Sequence, residues 1–542
     1  MRSIPLRCWA LVVVAVIAQL ISFPIAGPAP LWRRIFCWFC LAPLLYVLLQ
    51  CDRSGKPLRA AQTALLGYLF GVLWYAGNCY WIFQTMHIYG GLSEPVSLGI
   101  LFLFALYLGL YPALFGWILG RLHLTHTSKT VLCISPFVWV ALELARARVT
   151  GFPWDLLGYT QVDNSVLTSL APLGGVMMLS FLIAAVSALF AAAFLAAESR
   201  SGWKLVTGTT LFAAALQAGT LYQPSEDPAN HLASLLQENL AVGAGMRELA
   251  PISEEEKYRE FTELSRYPRL PASKGTPSDI YWIPVDIAPR TSNLIVWPEA
   301  PADFATSDPE FRSQLSDLAI STHAPVIAGS IGVDFNPAEE RGYHEFGSAA
   351  VFNWDGSYLG RYDKIHRVPW GEYVPYKKLF FFAGNLISGV GNMEAGRQHT
   401  IFQLNGHGVG IFICYESIFG DEVREFARDG AQVLVNISDD GWYGDSGAPW
   451  QHLDMARMRA IENRRWILRD TNTGVTTSID PHGRGVFTTP RHVRAAFAFP
   501  FDYRSDTTFY TRHGDWFAWI CAIVTTSLLA IGVFRPRSSE AK

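Results

Sequence analysis

The chain has 542 residues, of which half are hydrophobic and 18 are tryptophan, and a formal net charge of −3. Residues 1–222 carry only 19 charged side chains, whereas the remaining 320 residues carry 70. The first part is too apolar for an ordinary soluble protein, and the 30 basic against 40 acidic residues of the second argue against a nucleic-acid-binding surface.

The N-terminal part is predicted to be a membrane domain, because a spanning helix needs about 20 predominantly apolar residues. Seven apolar runs lie within 1–222, and an eighth follows the polar part, within 514–542. The first run alone is compatible with a cleaved signal peptide, but the further runs favour an anchor. The predicted spans are 8–26, 35–50, 61–82, 95–120, 130–147, 166–196, 205–222 and 515–534.

The basic residues of the short loops predict the orientation of these spans. With the N-terminus in the cytoplasm, twelve Lys and Arg residues lie inside and four lie in short outside loops. Residues 223–513 are therefore expected on the extracytoplasmic side. Two of the predicted outside loops, 77–81 and 151–155, are rich in aromatic residues, which indicates either an interfacial aromatic belt or an entrance for lipid.

Residues 223–513 alternate β-rich runs with helix-like segments, which predicts a layered α/β or α+β domain. The turn residues 353–356 (Asn-Trp-Asp-Gly) indicate a hairpin. The predicted strands are 232–237, 293–298, 324–330, 348–353, 409–414, 432–437, 466–470 and 474–479, and the predicted helices are 253–265, 309–321, 418–428 and 450–463.

Cys414 is the only cysteine in residues 223–513, and it stands at the end of a predicted strand. A thiol in this position is either a small buried hydrophobe or a nucleophile presented to a pocket. The other cysteines lie in or beside apolar runs without the spacing of a zinc site: Cys8, Cys37, Cys40, Cys51, Cys79, Cys133 and Cys521.

Two more ionisable residues follow strand-like or polar segments in distinctive contexts. Glu299 comes directly after Trp297-Pro298, and Lys364 lies in a polar loop. Singly they would be a solvated acid and a surface lysine. Together with Cys414 they supply a base for the thiol proton, a cation that favours the thiolate, and a donor for an oxyanion. No metal or cofactor is expected, since the histidines are scattered and no His-Glu-x-x-His occurs.

These motifs resemble the nitrilase (carbon–nitrogen hydrolase) superfamily. The resemblance lies in Trp-Pro-Glu at 297–299, Lys-x-His-x-x-Pro-x-Gly-Glu-Tyr-x-Pro at 364–375, and Cys-Tyr-Glu at 414–416. Further motifs resemble its membrane-bound branch, the apolipoprotein N-acyltransferases. They are 151–154 (Gly-Phe-Pro-Trp), 371–375, 436–444 and 455–460. One departure is Asp-Asp-Gly at 439–441, where relatives usually have Asn-Asp-Ala.

The resemblance implies a multi-span helical membrane domain (1–222), an extracytoplasmic α-β-β-α sandwich (223–513), and a final span with a cytoplasmic tail (514–542). It implies a bacterial inner-membrane enzyme, expected as a monomer, with its catalytic domain in the periplasm. An acyl chain would pass from a membrane phospholipid, through a cysteine thioester, to the N-terminal α-amino group of a lipid-modified apolipoprotein.

The resemblance also implies roles for individual residues. Glu299 would be the general base, Cys414 the nucleophile, and Lys364 the oxyanion donor. The backbone N–H of Tyr415 would assist Lys364, and two supporting acids would orient the lysine and the thiol. These acids are Glu372 and Glu416.

Two other functions stay open at this point. The same triad would serve a membrane-anchored amidase that hydrolyses a small amide, because water and an amine are both possible acceptors. A transporter or scaffold with a silent extracytoplasmic domain is disfavoured by the intact triad. The apolar loop 379–390 is either a lip over a lipid entrance or an ordinary core-facing loop.

The predicted topology places a reporter fused after Tyr222 outside the cytoplasm, because seven spans precede that position. We expect such a fusion to show periplasmic reporter activity. Reporter activity in the cytoplasm at this position would contradict the topology.

Overall fold

The computed structural model describes residues 4–50, 56–196, 200–243, 253–266, 268, 292–299, 303–338, 342–373 and 392–534. The apolar loop 379–390 lies outside the described residues.

Each predicted span is mostly helical, and the second, third, fourth and sixth spans contain short breaks, the one in the fourth at Gly109. Four stretches are long and apolar enough to cross a membrane, namely Leu31–Leu48, Glu94–His123, Ser128–Thr150 and Ala171–Leu195, and Leu6–Ser22 and Trp516–Ile531 are shorter apolar helices. The total of eight spans stays a prediction. The α-helices of the membrane part are α1 Leu6–Ser22, α2 Leu31–Arg34, α3 Ala42–Leu48, α4 Ala60–Asn78, α5 Trp81–Gln84, α6 Glu94–Leu108, α7 Leu110–His123, α8 Ser128–Ala145, α9 Ser165–Thr168, α10 Ala171–Leu195 and α11 Arg200–Gln217.

Helices α4 and α7 approach each other closely through glycines. A Cβ added to Gly116 would lie 2.2 Å from the carbonyl oxygen of Thr63, and one added to Gly67 would lie 2.1 Å from that of Pro112. Small residues allow such backbone contact between helices in lipid, where the hydrophobic effect does not drive them together.

The polar part contains two six-stranded sheets in the described residues. Their orders are β12-β1-β2-β3-β4-β5 and β11-β10-β9-β8-β7-β6, and each has three parallel strands near its centre, β1-β2-β3 and β7-β8-β9. The strands are β1 His231–Gln237, β2 Leu294–Trp297, β3 Val326–Phe335, β4 Tyr343–Phe352, β5 Tyr358–Asp363, β6 Ile401–Leu404, β7 His407–Ile413, β8 Val433–Ser438, β9 Ile467–Thr471, β10 Thr477–Ile479, β11 Gly485–Thr488 and β12 Ala495–Phe501.

Side-chain alternation along the strands builds four layers. In β2, Leu294 and Val296 belong to the core between the two sheets, whereas Ile295 and Trp297 pack toward the helices outside. The predicted α-β-β-α sandwich is confirmed. The remaining helices are α12 Glu254–Arg266 and α13 Pro309–Thr322 on the first sheet, α14 Gly420–Arg428 and α15 Ala448–Asn463 on the second, and α16 Phe509–His513 and α17 Trp516–Phe534 after the last strand.

The sandwich docks on the membrane part through buried and partly buried ion pairs. Arg34 bonds Asp163 at 2.8 Å and Asp454 at 3.0 Å, and Arg457 bonds the same two carboxylates at 2.6 and 3.0 Å. These four charges form a closed ring in which each ion has two partners of opposite sign. The ring ties the end of α2 and the loop before α9 to helix α15.

The aromatic loop 151–155 also belongs to this interface. Trp154 is 1% exposed, its Nε1 donates to Oε1 of Gln451 at 2.8 Å, and its ring lies 4.9 Å from that of Trp81. Of the two alternatives for these loops, an aromatic belt does not describe Trp81 and Trp154, because their side chains are buried within the protein instead of facing lipid.

The close contact between α4 and α7 predicts that Gly116→Ala destabilises the membrane part by roughly 1–3 kcal/mol, because the added methyl group must push the helices apart. Gly99→Ala on α6 is the matched control, since its Cβ would meet no atom within 4 Å. The measurement is the thermal unfolding midpoint of each purified variant in detergent. Equal midpoints for the two variants would contradict the packing.

Candidate active site

Strand ends bring the three predicted residues to one place. Glu299 follows β2, Lys364 follows β5, and Cys414 follows β7. The site lies at the carboxyl ends of these strands, where side chains leave the sheets and face each other across the sandwich.

Lys364 is the centre of this cluster. Its side chain is 1% exposed, and Nζ donates to Oε1 of Glu299 at 2.9 Å and to Oε1 of Glu372 at 2.6 Å. Burial by itself would lower the pKa of Lys364, but the two carboxylates outweigh it and hold this pKa well above its usual value. The lysine is therefore a permanent cation.

Glu299 is fixed by both of its oxygens. Oε1 accepts from Lys364, and Oε2 accepts from the backbone N–H of Asp439 at 2.9 Å. With its side chain 15% exposed, this carboxylate borders the open side of the cluster.

Cys414 has φ +48°, a left-handed conformation that is uncommon for a residue with a side chain. Burial and the charge of Glu299 raise the pKa of its thiol well above the ordinary value, and Lys364 acts in the opposite direction. The resting thiol is thus protonated beside a carboxylate that can receive its proton.

The two predicted supporting acids have different contacts. Glu372 bonds the lysine directly and accepts from the N–H of Val368 at 2.8 Å. Glu416 is fully buried and accepts from the N–H of Ile413 and of Ile365, each at 2.6 Å. Glu416 therefore joins the residues that flank Cys414 and Lys364 and does not bond either side chain.

The hydroxyl of Tyr415 donates to the carbonyl oxygen of Gly151 at 3.0 Å. This residue, next to the cysteine, thus connects the cluster with the aromatic loop of the membrane part.

Sequence reasoning missed a buried charge cluster behind Cys414. Asp440 accepts from Arg469 at 2.7 Å and lies 2.9 Å from Nδ1 of His452. Although burial disfavours its charge, Arg469 and His452 hold the pKa of Asp440 well below its usual range. The position of Asp440 just after β8 was the available signal, since three other strand ends carry the predicted residues.

Comparisons with known proteins match both parts of the chain. The family model of the apolipoprotein N-acyltransferase N-terminal domain matches residues 23–189, and the carbon-nitrogen hydrolase model matches residues 213–498. The apolipoprotein N-acyltransferase of Geobacter metallireducens is 34% identical over 99% of this chain and 97% of its own length. That of Methylococcus capsulatus is 32% identical over 89% of each chain.

This chain belongs to the apolipoprotein N-acyltransferase family.

Membership identifies the chain as an acyltransferase with a carbon–nitrogen hydrolase domain. Among solved structures, the amidase from Nesterenkonia sp. AN1 aligns with 53% of this chain and 96% of its own, at 14% identity and a TM-score of 0.35.

Asp439 makes a pH-dependent contribution to stability that can be measured. Burial and the charge of Glu299 raise the pKa of Asp439 to about 8. Between about pH 4 and 8 the folded protein therefore binds a proton that the unfolded chain has lost, so this contribution decreases as pH rises and levels off above 8. Asp439→Asn has no proton to lose. We therefore expect the free energy of unfolding of this variant, relative to that of wild type, to increase by at least about 1 kcal/mol between pH 5 and 8.

The measurement is the thermal unfolding midpoint at several pH values. Asp317→Asn on the exposed face of α13 is the control for replacing a carboxyl by an amide outside the site. Parallel pH curves for wild type and Asp439→Asn would contradict the burial of a protonated Asp439.

Proposed function

We propose that this protein transfers an acyl chain from a membrane phospholipid to the N-terminal α-amino group of lipid-modified apolipoproteins, through a thioester on Cys414. The observation that carries this proposal is the buried ammonium of Lys364, which bonds Glu299 and acts to lower the pKa of the Cys414 thiol. The domain that holds this site is docked on apolar helices.

In the first half-reaction, Glu299 accepts the thiol proton while Sγ of Cys414 attacks the ester carbonyl of the phospholipid. The tetrahedral oxyanion is stabilised by the ammonium of Lys364 and the backbone N–H of Tyr415. When the intermediate collapses, the C–O bond breaks and Glu299 returns the proton to the leaving alkoxide. The products are a lysophospholipid and an acyl-enzyme thioester.

In the second half-reaction, the neutral α-amino group of the acceptor attacks the thioester carbonyl. The same donors stabilise the second oxyanion. The C–S bond then breaks, and Glu299 transfers a proton from the amine to the sulfur, which restores the thiol. A single carboxylate therefore serves both steps, and no water molecule is consumed.

The relatives' name supports an amine acceptor, and the interface between the two parts supports a site at the membrane surface. Residues that contact the sandwich, such as Arg34, Trp154 and Asp163, lie at a helix end or in loops that the charge distribution assigns to the outside. Both substrates could then keep their acyl chains in the bilayer. We therefore place the catalytic domain on the periplasmic side of a bacterial inner membrane.

The proposed domain division remains 1–222, 223–513 and 514–542. It is supported by the helical turn that ends at Leu221, the first strand that begins at His231, and the last apolar helix that begins at Trp516.

The thioester can be observed by intact-mass analysis after incubation with phospholipid and no acceptor. We expect wild type to gain the mass of one acyl chain, which hydroxylamine removes, because a thioester is cleaved by this nucleophile. Cys414→Ala should gain none. Cys133→Ala is the matched control, since Cys133 is an exposed cysteine outside the site, and it should behave as wild type.

Two results would contradict the proposal. An adduct that persists in Cys414→Ala would place the acyl group elsewhere. The absence of an adduct in wild type, combined with hydrolysis of small amides, would favour the membrane-anchored amidase.

A further inference from the structure

The imidazole of His452 is completely buried and lies behind the proposed nucleophile. Its Nε2 is 3.0 Å from the carbonyl oxygen of Cys414, and its Nδ1 is 2.9 Å from Oδ1 of Asp440. A carbonyl oxygen can only accept a hydrogen bond. Nε2 therefore carries a proton and donates a hydrogen bond to the carbonyl oxygen of Cys414. Burial lowers the pKa of His452, which favours the neutral imidazole, and Nδ1 then accepts from the guanidinium of Arg469 at 3.1 Å.

This hydrogen bond holds the peptide that joins Cys414 to Tyr415. The described peptides are trans and planar, so the carbonyl oxygen of Cys414 and the N–H of Tyr415 point in opposite directions. A contact that fixes the oxygen also fixes the direction of the N–H. Because Cys414 has φ +48°, its local backbone preference does not favour this orientation, and a contact from elsewhere must stabilise it.

We infer that His452 is a positioning residue for acyl transfer, which holds the Cys414–Tyr415 peptide so that the Tyr415 N–H faces the developing oxyanion. This inference rests on the proposed function, because it requires a tetrahedral oxyanion at Cys414. The hydrogen bond to the carbonyl also polarises the peptide and makes its N–H a stronger donor.

Both domains hold the imidazole in place. On the catalytic side, Asp440 is fixed by Arg469 at 2.7 Å. On the membrane side, the ring of Trp154 stacks on His452 with centroids 5.7 Å apart and planes 19° apart, and Nε1 of Trp154 donates to the neighbouring Gln451. The orientation of the proposed oxyanion donor therefore depends on the docking of the membrane part.

Two amide side chains separate this role from a general structural one. The amide nitrogen of His452→Gln can reach the position of Nε2 and donate to Cys414. The amide of His452→Asn is one methylene shorter and matches Nδ1, so it keeps a polar group beside Asp440 and Arg469 without reaching the carbonyl. Both variants are made in a Cys133→Ala background, because Cys133 is exposed and would react with thiol reagents.

Two rates are measured for each variant. One is single-turnover acylation by phospholipid, which passes through an oxyanion. The other is alkylation of Cys414 by iodoacetamide, a direct displacement at carbon that forms no oxyanion. We expect His452→Asn to lower acylation on the order of 10- to 100-fold, somewhat less than loss of an oxyanion donor, while its alkylation stays within about threefold of the parent. His452→Gln should recover most of the acylation rate.

The inference is overturned if His452→Asn is acylated at the parental rate, or if its acylation and alkylation rates fall by the same factor. It is also overturned if His452→Gln is acylated no faster than His452→Asn. The parent protein keeps this result separate from the proposed function. If the parent forms no acyl adduct, the proposed function is wrong; if it does and the Asn variant matches it, only the role of His452 is wrong.

Discussion

A single buried ammonium group organises the site. Lys364 bonds Glu299 and Glu372, which come from separate segments of the chain, and its charge acts to lower the pKa of the Cys414 thiol. A buried charge is tolerable only when it is paired and hydrogen-bonded, and removal of one partner from such a cluster typically costs about 3–5 kcal/mol. Without the lysine, the two carboxylates would repel each other. The same interaction therefore stabilises the fold locally and supplies the charge that the proposed acyl transfer needs.

The second constraint is the attachment of the sandwich to the membrane part. Helix α15 contributes Asp454 and Arg457 to the ring of four charges, and Gln451 and His452 to the contact with Trp154. Buried polar contacts of this kind are geometrically specific, because each charge is stable only in one arrangement of its partners. The docking of the two parts and the backbone around the cysteine are thus held by one helix.

The sequence predicted the interior of the sandwich and missed its borders. Within the described residues, all eight predicted strands correspond to interior strands, whereas the four missed strands are the edge strands of the two sheets, β5, β6, β11 and β12. Interior strands are buried on both faces and appear as apolar runs. Edge strands carry weaker signals: β11 is mostly exposed, and β12 contains Pro500, which cannot donate a ladder hydrogen bond.

The site residues that could be predicted from the sequence are those with a clear local signal. Glu299 and Cys414 were recognisable because each follows an apolar strand, and Lys364 because its loop motif resembles a known family. For the cluster of Asp440, His452 and Arg469, the sequence signalled only Asp440, which follows a predicted strand. The meeting of the three residues depends on tertiary packing, since they come from three elements. Among the spans, apolar runs fixed the helices, but the charge pattern alone could not reveal that the aromatic loop is buried at the domain interface.

Transfer through a thioester requires one site to perform two half-reactions in sequence, and the release of lysophospholipid without acceptor measures this directly. Rapid-quench measurements on wild type should show a burst of about one equivalent of lysophospholipid per protein that then stops, because the thioester persists until an amine attacks it. Lys364→Met, which keeps the length of the side chain without its charge, should show no burst. Continuous release without acceptor, or release that begins only when acceptor is added, would contradict a shared acyl-enzyme at Cys414.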